Sequence, residues 1–292
     1  MPVFHIFLAI CVAAVWGGNF VAAKYGLAYF PPFFLSSLRF IMVGIALLPF
    51  LPKVGIVQIK RIAILSFTLG TLHLAMLFYS MHLGLNIAST AILSQMGVPF
   101  ACILSAIFLN DKLGKWRTGG MVIAFIGIII VSGSPNAFDH MAGTVIALLA
   151  AFFWGVANLL MKNIGPINIF RLLAWLSIFT APQLLLVSYL FENGQMELLM
   201  NTPVNIAWSV AYTAFVSTIV GYGLWYYLMA RYQMTQVAPF SLLVPIFSIA
   251  FGKLFFSEAL PLQTLLGGAI AILGVAVIII RRPKLALLGE GK

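Results

Sequence analysis

The sequence predicts an all-α integral membrane protein: ten transmembrane helices arranged as two inverted five-helix repeats, 1–135 and 136–292, with both termini cytoplasmic. Three observations predict it. Hydrophobic residues make up 63% of the 292 and charged ones 8%, against roughly a quarter charged in a soluble domain. Ten apolar stretches approach the ~20 residues that a helix needs to cross a hydrocarbon core. The chain also resembles itself: Trp16-Gly17 returns 138 residues later as Trp154-Gly155, and each Trp is followed eight residues on by a lysine, Lys24 and Lys162.

The elements follow in order. The first span covers about 5–25; it has no basic leader and no clear cleavage site, so it is expected to stay as a helix. Pro31-Pro32 separates it from the second, about 33–51. The third (61–82) and fourth (87–109) follow, the fourth with Pro99 inside it, then the fifth (115–132) with Gly120 and Gly127. Ser134-Pro135-Asn136 closes the first half. The sixth (142–162) carries the repeated Trp-Gly pair, and Glu192-Asn193-Gly194 ends the seventh (168–191). The eighth (205–229) is rich in aromatics, the ninth (235–256) holds Pro245, and the tenth (261–280) has Gly267 and Gly274. Val98-Pro99 matches Val244-Pro245 at an offset of 146, which extends the repeat beyond the tryptophans. Cys11 and Cys102 both fall in spans, where a thiol packs as a small hydrophobe and no disulfide framework is expected.

The net charge of +10 does not point to nucleic acid, because the basic residues are scattered between apolar spans and not gathered on one module. They alternate by loop. Lys53, Lys60 and Arg61 follow the second span; Lys112, Lys115 and Arg117 follow the fourth; Lys162 and Arg171 flank the next such loop; Arg231 and then Arg281, Arg282, Lys284 and Lys292 complete the set. The intervening loops have no basic residue and carry Asp139, Glu192 and Glu197. Positive charge stays on the cytoplasmic side, which places both termini there. Five spans per repeat is an odd number, so the second copy enters the membrane inverted relative to the first, as in many carriers that work by alternating access.

Several of these residues carry a family likeness. Trp16-Gly17-Gly18-Asn19-Phe20, Pro31-Pro32 and Arg39-Phe40 resemble the start of an EamA domain of the drug/metabolite transporter superfamily. Val220-Gly221-Tyr222-Gly223-Leu224-Trp225, Arg231-Tyr232, Val237-Ala238-Pro239, Ser241-Leu242-Leu243-Val244-Pro245 and Glu258 resemble in particular its bacterial O-acetylserine/cysteine exporter branch. The likeness spans essentially the whole chain. It implies a ten-helix carrier of the bacterial inner membrane exporting amino acids or related metabolites, without fixing the substrate. The family often has a Gly-Glu-Arg-like turn after the fourth span; here the turn is Leu109-Asn110-Asp111-Lys112, so the acid persists as Asp111 with altered neighbours.

Polar residues inside spans are costly unless they face the bundle interior, a partner or a water-filled cavity, so they are the candidate substrate contacts. Arg39 offers a guanidinium fork suited to a carboxylate, or alternatively ties a neighbouring helix end. Asn19 and Asn158 lie one turn beyond Trp16 and Trp154, where an amide can meet a substrate or join two helices. The two indoles suit a cavity wall as well as plain core. Tyr79 aligns with Trp225 at an offset of 146, with Tyr222 near the latter, as an aromatic lining. His73 is the imidazole deep in a span and the candidate carrier for a coupled proton, unless it only bonds a neighbouring helix. Gln95 and Ser241 each precede a proline by four residues, and Pro99 and Pro245 would bend their helices as hinges or cavity-shaping kinks. Lys24 and Lys162 read as interface residues, and Lys253 equally as a partner for Glu258 or as a site residue.

Transport of a small amino-acid-like metabolite, secondary-active or facilitative, accounts for inversion, paired prolines and intramembrane polar residues together. The alternative is another small metabolite or drug-like solute. No His-Glu-x-x-His, paired membrane aspartates or Ser/His set appears, so an enzyme is not expected, and short loops argue against a scaffold. No span interior holds Asp or Glu, which disfavours lipophilic cations as cargo. No cofactor, metal or obligatory protein partner is implied.

Overall fold

The chain is helical throughout in a computed structural model, with no strand among the described residues, 1–51, 54–109, 113–161, 163–232 and 234–280. Lys53, Lys112, Asp111, Lys162 and the basic tail named above lie outside them. Nine helices among the described residues are long and apolar enough to cross a membrane: α1 (Val3–Leu27), α3 (Ile56–His82), α4 (Ile87–Phe108), α5 (Lys115–Ser132), α6 (Met141–Met161), α7 (Ile169–Phe191), α8 (Val204–Met229), α9 (Ala238–Phe256) and α10 (Leu262–Ile280). Between α1 and α3 lies the shorter apolar α2 (Pro32–Ala46). The sequence expectation carried this helix to 51. It stops at Ala46 and passes into a 3-10 turn, Leu48–Phe50, because Pro49 has no N–H for the ladder and its ring clashes with the carbonyl four residues back.

Capping explains where several helices begin. Pro31 and Pro32 pre-set the entry to α2, whose free Phe33 and Phe34 N–H groups donate to the Glu192 carboxylate at 2.8 and 2.9 Å, a cap borrowed from the far half of the chain. The Asn86 side chain caps α4 through Ser89 N–H, and Asn168 caps α7 through Phe170 N–H. The α4 rod is broken at Gln95–Met96, just before Pro99, and α9 opens with a 3-10 turn, Ala238–Leu242, before Pro245. These two prolines thus sit at matched irregularities.

The contacts between ends define two faces. At the distal face, the end of α1 meets the turn after α9 through Lys24 and Glu258, and Asn86 N–H donates to Asn136 Oδ1. At the proximal face, where the chain begins, His5 bonds Tyr232, Gln58 bonds the Ile164 carbonyl and Arg61 bonds the Asn163 carbonyl. Large apolar side chains in mid-helix, such as Ile64, Val122 and Leu273, stand more than half exposed between these faces, as surface meant for lipid does.

Glycines set the closest helix contacts. A Cβ on Gly17 would stand 2.6 Å from Phe247 Cβ, and one on Gly155 would stand 2.9 Å from Ala101 N. The Trp-Gly pairs are therefore packing points, where α1 crosses α9 and α6 crosses α4. Along α5 and α10 the approach is backbone to backbone, with a Cβ on Gly127 placed 2.3 Å from Ala271 N and one on Gly274 placed 2.4 Å from Ala124 N.

Both α3 and α8 contain a stretch of π-helix, Ser66–Ala75 and Tyr212–Gly221. The two stretches have equal length and lie 146 residues apart at both ends, the offset of the paired prolines. Wide turns of this kind re-aim side chains and free backbone carbonyls, which is why they gather at functional sites.

Candidate functional site

The second π stretch and α1 enclose the polar cluster. Arg39 on α2 is 2% exposed; its Nε donates to Thr218 Oγ1 at 2.9 Å and its Nη1 to Asn19 Oδ1 at 3.5 Å. Thr218 in turn donates to the Thr213 carbonyl five residues back, at 2.8 Å, a bond that the wide turn makes available. The guanidinium carbon lies 5.8 Å and 5.9 Å from the Phe40 and Phe78 ring centres. No carboxylate among the described residues pairs with Arg39. Its charge is held by a hydroxyl, an amide and ring faces, none of which neutralises it.

Beside the guanidinium stands an aromatic wall. Trp16 on α1 packs against Tyr222 at 5.3 Å and Trp225 at 5.2 Å, both on α8, and its indole N–H donates to the Ser217 carbonyl at 3.2 Å. That carbonyl belongs to the π stretch. Gly221 permits the approach, since a Cβ there would stand 2.7 Å from Trp16 Nε1. A narrow, largely apolar cleft lined by Met161, Ile169, Phe40, Thr218, Tyr222 and Tyr226 adjoins the cluster; Met161 and Ile169 are helix ends on the proximal face. A second groove along α5, lined by Lys115, Thr118, Gly119 and Val122, holds none of the candidate residues.

Five of the residues singled out from sequence thus come together: Trp16, Asn19, Arg39, Tyr222 and Trp225. The others are placed elsewhere. His73, in the first π stretch, is buried with Nδ1 2.8 Å from the Ala150 carbonyl of α6. Tyr79 stacks on Phe33 at 5.3 Å and on His82 at 6.2 Å, toward the distal end. Gln95 reaches across the halves, its Nε2 donating to the Ser241 carbonyl at 3.2 Å, while Ser241 Oγ bonds the Ala238 carbonyl of its own turn. Pro99 and Pro245 are both buried. Trp154 lies against Gly97 of α4, and Asn158 donates to the Trp154 carbonyl at 2.7 Å, so this repeat of the Trp/Asn pair turns inward on its own helix.

Two features had no sequence signal strong enough to nominate them. Thr218 is one. The other is the polar set that matches it across the repeat: Thr71 donates to Gln183 Oε1 at 2.9 Å, Gln183 Nε2 to Ser66 Oγ at 3.1 Å, and Thr180 to the Ser66 carbonyl at 3.3 Å. Each π stretch is therefore clamped by a polar side chain from the other half, Arg39 for one and Gln183 for the other. The clamped hydroxyls are not equivalent by position, since Thr218 falls opposite Leu72 at the offset of 146 and Thr71 opposite Ser217, so the sequence carries no direct trace of the two clamps. Lys24, expected at an interface, forms the ion pair with Glu258 at 2.5 Å; Lys253, expected to be Glu258's partner, is exposed.

Comparison with known proteins agrees with this architecture. The profile of the EamA-like transporter family matches twice, over residues 3–133 and 141–280. A probable amino-acid metabolite efflux pump of Salmonella typhimurium is 30% identical over 281 residues, covering 93% of each chain. A protein of the same description from Escherichia coli is 29% identical over 92% of this chain and 93% of its own. An uncharacterised transporter of Bacillus subtilis is 26% identical over 91% and 93%. A crystal structure superposes with a TM-score of 0.65 over 95% of this chain and 96% of that one, at 15% identity, a likeness of fold alone.

Proposed function

The chain belongs to the EamA-like transporter family, and from that premise we propose that it exports small amino acids or related metabolites across the bacterial inner membrane by alternating access. Ten spans form two inverted repeats, 1–135 and 136–292, and both termini lie in the cytoplasm; the loop charges and the separate family match to each half support this. The proximal face is then cytoplasmic, and the cleft lined by Thr218 and Tyr222, with room for about one water (≈ 20 Å³), must widen to let the solute in. The relatives described as probable amino-acid metabolite efflux pumps support the substrate class.

The observation that carries the reading is the Arg39 guanidinium, buried with neutral partners only and bonded to Thr218, which lines one cleft with Tyr222, itself packed on Trp16. A solute carboxylate completes the guanidinium's bonding as a charge-assisted pair. The ammonium or apolar side of the same solute meets aromatic faces, which take either. Counterflow with purified protein in proteoliposomes tests this: preloaded unlabelled amino acid is expected to drive uptake of its labelled form, and the carboxamide analogue is expected to fail. Equal exchange of acid and amide removes the carboxylate from recognition.

Proton coupling, where it operates, runs through His73 on this reading, since the span interiors hold no carboxylate. His73→Gln is then expected to abolish stimulation of transport by a pH gradient while leaving counterflow in place. A full gradient response in that variant excludes His73 as the carrier.

A further inference from the structure

We infer that Lys24 and Glu258 form the latch that holds the distal face shut; this rests on the alternating-access reading above. Glu258 is the buried carboxylate among the described residues, and it lies in the turn between α9 and α10, in the second half of the chain. Its Oε1 takes both of its contacts: Lys24 Nζ at 2.5 Å, at the end of α1, and the Ile87 N–H at 3.1 Å, at the start of α4. Three elements, two from the first half and one from the second, are joined at a single oxygen. Lys24 is held on its other side by the Phe256 ring at 4.6 Å.

The geometry is that of a closure which can be undone. Glu258 Oε2 is buried without a hydrogen-bond partner, and it stands against Gly252, where a Cβ would come within 3.1 Å. An ion pair made by one oxygen while the other is dry is a poor permanent staple, because the unbonded oxygen loses its hydration and gains nothing in return. Opening the face returns that oxygen to water and offsets much of the loss of the pair. Lys24 already keeps about a third of its side-chain surface exposed (36%), whereas that of Glu258 keeps 6%, so separation mainly hydrates the carboxylate. The turn is shaped for this placement: α9 ends at Ser257 in the left-handed conformation, φ 49°, which directs the next residue back against the bundle.

The experiment measures opening directly and needs no substrate. Spin labels go on cysteines at Ala28 and Ala259, exposed positions on opposite halves of the distal face, with Cys11 and Cys102 replaced. In full-length protein in nanodiscs the parent is expected to give one short distance. Glu258→Gln, and separately Lys24→Met, is expected to shift the open-to-closed ratio by about tenfold or more toward a longer distance. The charge-reversed pair Lys24→Glu with Glu258→Lys is expected to bring the short distance back only in part, because an ammonium at 258 cannot accept the Ile87 N–H. An unchanged distribution in the single variants overturns the latch. Should Glu258→Gln not yield folded protein, Lys24→Met decides the matter. A chain that opens in the single variants but shows no counterflow sinks the exporter reading and leaves the latch standing; one that exchanges amino acids with unaltered distances does the reverse.

Discussion

Arg39→Ala is expected to lower transport of a carboxylate-bearing solute by about 10- to 100-fold, which corresponds to the ~1.5–3 kcal/mol of a hydrogen bond to a charged group. The variant should still fold. Thr218 keeps its bond to the Thr213 carbonyl, and Asn19 loses only a long contact of 3.5 Å. Melting of the purified variant checks this point, and initial rates in proteoliposomes check the first. Arg39→Lys is expected to fall between, because it keeps the charge and loses the fork. Transport at the parent rate in the alanine variant would remove Arg39 from the site.

Gly127→Val carries the largest expected effect on stability. Its Cβ would stand 2.3 Å from the Ala271 nitrogen and 2.6 Å from the Gly267 carbonyl oxygen. Both are backbone atoms, so no side-chain rotation relieves the clash and α5 must part from α10. Overpacking of this kind costs about 1–3 kcal/mol or more, and loss of the close contact adds to it. Gly119→Val is the matched control. It lies on the same helix with nothing within 4 Å of its Cβ, and it is expected to melt with the parent. Size-exclusion profiles of heated, detergent-solubilised protein separate the two. Equal melting of both variants would show that α5 and α10 are not held by backbone contact.

Much of this architecture is legible in the residues themselves, and the reasons differ by feature. Hydropathy locates the helices because the bilayer demands length and apolarity together. The end of α2 escaped that reading, since Leu47 to Leu51 remain apolar while Pro49 stops the helix. The π stretches are invisible to hydropathy, because a wide turn changes hydrogen bonding and not composition. Trp16 and Trp154 are alike in sequence yet differ in surroundings: α8 presents Tyr222 and Trp225 to the first, whereas α4 presents Gly97 to the second. A repeat in one chain is read by two different sets of neighbours. The Lys24–Glu258 pair joins residues 234 apart, and charges at helix ends are more often solvated than matched, so spacing gave no reason to couple them.

The unneutralised guanidinium of Arg39 has an electrical consequence. An empty carrier holds a fixed positive charge among its spans, and a bound solute of net charge −1 cancels it; a zwitterion brings an ammonium with its carboxylate and leaves the net charge as it was. On the alternating-access reading, the protein loaded with such an anion therefore reorients without that charge being felt, while the empty one reorients within the transmembrane potential. A full charge crossing the field would change the free energy by ~2.3 kcal/mol per 100 mV, and Arg39 senses a fraction of it. Exchange of an anionic solute for itself is then expected to ignore an imposed potassium diffusion potential, whereas its net efflux, which needs the empty return, is expected to change rate with its sign; with a zwitterion both modes carry the charge. Insensitivity of every mode would mean that the charge lies outside the field. Membrane voltage, and not only solute gradient, would set the direction in which this protein idles.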